Sequence, residues 1–123
     1  MSLVAHLFVY GTLLPGEPRW PFLAPYVADQ GTPDAAAGVL FDTGRGYPAA
    51  RFGAGKTILG RTFLLEPVLL NEALARLDEV EGAVAGLYRR SSITTHSGLD
   101  AWAYEYGGGL SLTAIPSGSW VDR

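Results

Sequence analysis

Cysteine is absent from all 123 residues. That excludes disulfides, a thiolate nucleophile and any cysteine-ligated zinc site. Lysine is nearly absent: Lys56 stands alone, and the arginines are scattered. No basic cluster is available for a phosphate backbone, and with a net charge of −3 nucleic acid is not an expected partner. No apolar run approaches the roughly 20 residues that a membrane-spanning helix needs. The start, Met1-Ser2-Leu3-Val4-Ala5, lacks a basic leader, and its apolar run breaks at His6. Repeats and low-complexity tracts are missing as well. The expectation is a soluble, cytoplasmic protein with no membrane partner. Hydrophobic residues make up 48% of the chain and charged residues 17%, a globular balance rather than a disordered one. The length suits one compact domain over residues 1–123.

Short β-branched and aromatic runs dominate the chain. Leu3 to Tyr10 reads as a buried strand, and Gly11-Thr12-Leu13-Leu14-Pro15-Gly16 as the loop that ends it. Between Trp20 and Val27, Pro21 can open a helix and Pro25 stops it, so a turn or two is expected. Strands are predicted over Ala35 to Phe41, Tyr47 to Phe52, Thr57 to Leu65, Leu87 to Thr95 and Leu99 to Tyr106. Turns are predicted at Thr43 to Gly46, Gly53 to Gly55 and Ser97-Gly98. Pro67 opens the one secure helix, which runs to Val80 or Glu81. About six strands and one long helix argue for an α+β fold. Its sheet is antiparallel or mixed, and curling into a barrel hides the edges.

Glu81 is the most informative residue. Leu70, Leu74 and Leu77 recur at helical spacing and mark an apolar face. Glu81 follows Leu77 by four positions and shares that face, whereas Asp78 and Glu79 point elsewhere, to water. An acid on a core-facing stripe must be paired, hydrogen-bonded or neutral. Desolvation raises its pKa, which suits a group that both takes and gives a proton. The plainer reading ends the helix at Gly82 and leaves Glu81 frayed into solvent.

Other segments carry weaker signals. Tyr10-Gly11-Thr12-Leu13 leaves a strand through a glycine, and successive free N–H groups in such a loop cradle an anion or oxyanion. An ordinary turn has the same pattern. Tyr88 and Arg90 share a strand face, where a tyrosine either bonds a substrate or packs. Gly53-Ala54-Gly55-Lys56-Thr57 imitates the end of a phosphate-binding loop. The glycine the full motif needs is replaced by Ala50, and the segment leads into strand rather than helix. His6 and His96 lie in different elements without further ligands, so no metal or cofactor is expected. Trp102, Tyr104 and Tyr106 share one strand face, with Ala101 and Ala103 on the other.

Together these residues resemble the gamma-glutamylcyclotransferase-like family. Phe8-Val9-Tyr10-Gly11-Thr12-Leu13, Leu77-Asp78-Glu79-Val80-Glu81-Gly82 and Tyr88-Arg89-Arg90 carry the likeness. Trp102-Ala103-Tyr104-Glu105-Tyr106 and Ser117-Gly118-Ser119-Trp120 extend it. Ser119 stands where an acid is common, and Gly82 to Gly86 forms an insert. The resemblance implies a small mixed β-barrel flanked by helices. It also implies a general acid/base at Glu81 and a substrate loop of Tyr10, Gly11, Thr12 and Leu13, with Tyr88 beside them. The implied reaction is cofactor-independent: the α-amine of a γ-glutamyl amine or amide attacks its own γ-carbonyl, releasing 5-oxoproline and a free amine. Two other readings stay open, a non-catalytic protein binding a small metabolite and a docking module using exposed Trp102, Tyr104 and Tyr106.

Overall fold

The computed structural model describes residues 4–82, 88–108 and 110–123. Strand β1 (His6–Val9) leads into the loop, a single helical turn α1 (Trp20–Leu23) and a 3-10 turn (Ala24–Tyr26). Then come β2 (Thr32–Asp42), β3 (Pro48–Leu64), a 3-10 turn (Pro67–Leu69), α2 (Leu70–Val80), β4 (Tyr88–Thr94), β5 (Asp100–Tyr106) and β6 (Thr113–Ala114). Leu3, Gly109 and the segment 83–87, which includes the expected strand start Leu87 and most of the insert, lie outside the described residues.

The six strands form one sheet in the order β4-β5-β1-β3-β2-β6. The β1–β5 pair is parallel and the other pairs are antiparallel. The sheet curls until its distant parts touch. The amide of His96 donates to the Ala35 carbonyl at 2.8 Å, and the Ser97 hydroxyl to Asp34 at 2.7 Å, drawing the β4–β5 turn against β2. The amide of Phe52 donates to Glu105 at 3.0 Å, drawing the start of β3 against β5. The result is a nearly closed mixed barrel with its helices outside, the fold class expected from the sequence.

One turn expected from the sequence is absent. Tyr47 to Phe52 and Thr57 to Leu65 are not two strands joined at Gly53-Ala54-Gly55 but halves of β3, 17 residues long. Its pairing with β2 jumps from Ala37↔Thr57 to Gly38↔Phe52, so residues 53–56 bulge out while the chain keeps its direction. Gly53 and Gly55 take φ values of 141° and 126°, which L side chains rarely adopt, and this allows the bulge. The false phosphate loop is therefore part of a strand. The strand count still reaches six because β6, not foreseen in the tail, replaces the strand lost by this merger.

Alternation along the strands fills two clusters. Phe8, Tyr10, Leu40, Ile58, Ala101 and Ala103 belong to one. Leu7, Val9, Phe63, Tyr104 and Tyr106 belong to the other, where α2 adds Leu70, Ala73, Leu74 and Leu77. The aromatic row of β5 is part of this second cluster. Tyr104 and Tyr106 are buried, and half-buried Trp102 donates to the Val4 carbonyl at 3.1 Å, so the exposed docking patch does not exist. Among the described residues no helix is long and apolar enough to cross a membrane.

Candidate active site

The leucine stripe of α2 delivers Glu81 to the protein interior. Its amide makes the last helical bond, to the Leu77 carbonyl at 2.9 Å, and Gly82 then takes φ 72° and turns the chain away. Glu81 is only 9% exposed, so the frayed-end reading is wrong. Its carboxylate accepts no hydrogen bond from the described residues. Among the described residues the one cation in reach is Arg19, with Nη1 3.5 Å from Oε2. Burial raises the Glu81 pKa from 4.5 to about 7, and Arg19 only partly opposes the rise.

The loop after β1 faces this acid. Leu14 N–H donates to the Gly11 carbonyl at 3.0 Å and Arg19 N–H to the Thr12 carbonyl at 2.8 Å, which folds 11–19 into a compact turn. The carbonyls of Gly11 and Thr12 are thus occupied, whereas the N–H groups of Gly11, Thr12 and Leu13 find no partner among the described residues. Gly11 is required by packing: a Cβ there would lie 2.4 Å from Cγ of Pro48. Thr12 is buried, yet its hydroxyl makes no hydrogen bond to the described residues.

Tyr10, Gly11, Thr12, Leu13, Glu81 and Tyr88 line one cavity, walled further by Tyr47, Pro48 and Tyr104. The hollow is narrow and opens on one side. All six residues singled out in the sequence meet there.

The tyrosine hydroxyls are already committed. Tyr88 donates to the Pro48 carbonyl at 2.5 Å, and Tyr10 donates to the carbonyl of Tyr104. Burial, reinforced by the nearby Glu81 charge, pushes both phenols above their ordinary range and keeps them neutral. Tyr88 therefore braces the wall at Pro48 and presents only lone pairs to a ligand.

Asp78 does not point to water. It accepts from Arg90 Nε at 2.9 Å and from the Tyr104 hydroxyl at 2.7 Å, clamping α2 to β4 and β5. Nothing in the sequence pattern marks Arg19, Tyr47 or Tyr104 as site residues. Arg19 and Tyr47 sit in irregular segments where no period reports direction, and Tyr104 was visible only as a member of an aromatic face. Among the described residues no group of three His, Cys, Asp or Glu side chains could hold a metal ion.

Several solved structures share this fold. An uncharacterized protein from Pyrococcus horikoshii is 23% identical with a TM-score of 0.74, the match covering 96% of this chain and 91% of that one. A uropathogenic E. coli-specific protein is 17% identical with a TM-score of 0.73, covering 98% and 95%. An AIG2-like protein from Mus musculus is 17% identical with a TM-score of 0.64, covering 85% and 78%. At these identities the likeness is one of fold. No curated protein matches the chain by sequence. The family model for AIG2-like gamma-glutamyl cyclotransferases matches residues 7–122, and the chain belongs to that family.

Proposed function

We propose that the protein is a cyclotransferase that releases 5-oxoproline and a free amine from a γ-glutamyl amine or amide, with Glu81 as general acid/base. One observation carries the reading. A buried carboxylate that accepts no hydrogen bond from the described residues shares a small cavity with successive backbone N–H groups that find no partner among them.

The chemistry uses both features. The α-ammonium of the glutamyl group loses a proton to Glu81, and the freed amine attacks the γ-carbonyl carbon. A nitrogen–carbon bond forms and closes the five-membered ring. The carbonyl oxygen gains negative charge, which the N–H groups of Gly11 to Leu13 stabilise. Glu81 then gives its proton to the leaving nitrogen as the original amide bond breaks, takes the second proton from the ring nitrogen and passes it to the departing amine, which leaves as an ammonium. A pKa near 7 lets one carboxyl group do both jobs at neutral pH. Attack is intramolecular, so the cavity mainly has to hold the chain folded.

The test is a mass-spectrometric screen of γ-glutamyl amines and amides for released 5-oxoproline. Release from at least one compound by the wild type is expected. Ligand-induced thermal stabilisation without product from any of them would instead identify a binding protein of the same fold.

A further inference from the structure

We propose that Arg19 binds the α-carboxylate of the γ-glutamyl substrate and imposes the requirement for that group, leaving the N–H groups of Gly11 to Leu13 to the carbonyl oxygen. This assignment rests on the cyclotransferase reading.

A γ-glutamyl group presents two negative centres during the reaction: the permanent α-carboxylate and the transient charge on the γ-carbonyl oxygen. The site offers two separate sets of donors. The backbone N–H groups are neutral, fixed and close together, which suits a single oxygen whose charge develops only in the transition state. Arg19 supplies a full charge on a planar fork, which suits a carboxylate.

Arg19 is poorly occupied compared with the two arginines of β4. Arg89 and Arg90 each lie 2.9 Å from a carboxylate oxygen, whereas Arg19 reaches Glu81 only at 3.5 Å. Its guanidinium donates no hydrogen bond to any described residue. One face lies 5.7 Å from the centre of the Tyr47 ring, and a third of the side chain stays open to solvent. It thus lies beside Glu81 and Tyr47, two residues of the cavity wall, with its donors unengaged by the described residues. The bond from its own N–H to the Thr12 carbonyl, 2.8 Å, ties it to the N–H cradle. The two donor sets are therefore kept in register, as two anionic centres on one short substrate require.

Charge balance points the same way. The α-carbon carries both the carboxylate and the ammonium that must approach Glu81. Without a cation between them, two carboxylates would repel in a buried space. Arg19 lies where it can neutralise the incoming one without leaving the first.

The experiment compares two substrates with one leaving amine: the γ-glutamyl amide and its 4-aminobutanoyl analogue, which lacks only the α-carboxylate and cyclises to 2-pyrrolidinone. Wild type, Arg19→Met and Arg19→Lys are assayed with each. Any change that Arg19 exerts through Glu81 acts on both substrates and cancels in the ratio of their kcat/KM values. Wild type should favour the γ-glutamyl amide by roughly 100-fold or more. In Arg19→Met, kcat/KM for the γ-glutamyl amide should fall about 10- to 100-fold further than that for the analogue, mostly through KM. Arg19→Lys should recover part of the discrimination. A ratio unchanged in Arg19→Met, with active wild type, overturns the assignment while the cyclotransferase reading stands. Absence of 5-oxoproline from wild type with every γ-glutamyl compound overturns both.

Discussion

Replacing Glu81 by glutamine should make the protein more stable at neutral and alkaline pH. The two side chains have nearly the same shape, but glutamine carries no charge to desolvate. Glu81 is 9% exposed, accepts no hydrogen bond from the described residues and has only a 3.5 Å ion pair. Its pKa of about 7 in the folded protein exceeds the value near 4.5 expected of the unfolded chain. The folded state therefore binds the extra proton, and its advantage is fully present below pH 4.5 and disappears as pH rises through about 7. The displacement corresponds to about 3 kcal/mol between the ionised and neutral forms. At pH 8 Glu81→Gln should gain roughly that amount of stability over wild type, and at pH 5 less than about 1 kcal/mol. Every other titrating group is common to both proteins and drops out of the difference. Arg19, a third exposed, keeps water as its partner in the variant. Urea denaturation of both proteins from pH 5 to 8 measures the effect. A stability difference that stays flat across that range would show that Glu81 is not a desolvated acid.

Three further outcomes follow from the geometry. The acid limb of kcat/KM against pH should have its midpoint at about 7, because Glu81 must be ionised to take the substrate proton. A midpoint between 4 and 5 would place the working base elsewhere. Gly11→Ala pushes a methyl group to 2.4 Å from Pro48, so it should cost about 1–3 kcal/mol and lower kcat by displacing the N–H cradle, as read from thermal melts and steady-state rates. Tyr88→Phe leaves the Pro48 carbonyl without its donor, so it should cost about 1–3 kcal/mol in denaturant melts. An unchanged midpoint would mean that this bond is not holding the wall.

Glu81 was legible in the sequence because periodicity carries direction. Four buried apolar residues of α2 fix which side faces the core, and a residue on that stripe inherits the direction. The loop at Tyr10 to Leu13 was legible as a candidate through its glycine, but the reason for that glycine was not. Pro48 is distant in the chain and fills the space only once β3 folds back onto β1. The same lack of long-range information hid the unbroken β3. Two glycines flanking one residue look identical in a tight turn and in a bulge, and only the partner strand distinguishes them. Helical phase alone directs Asp78 to water because it leaves the leucine stripe. Helical phase gives no account of a neighbouring sheet, and here β4 and β5 supply Arg90 and Tyr104 on that side. Arg19 follows two prolines and a glycine in a segment without any period, so its place beside Glu81 emerges only from the fold.

The most direct measurement of the central claim is 5-oxoproline release by Glu81→Gln set beside wild type on the same accepted γ-glutamyl substrate, with product affinity recorded in parallel. The account predicts a fall in kcat of about 10²- to 10⁴-fold with 5-oxoproline still bound and the fold intact. Turnover by Glu81→Gln at the wild-type rate would contradict it.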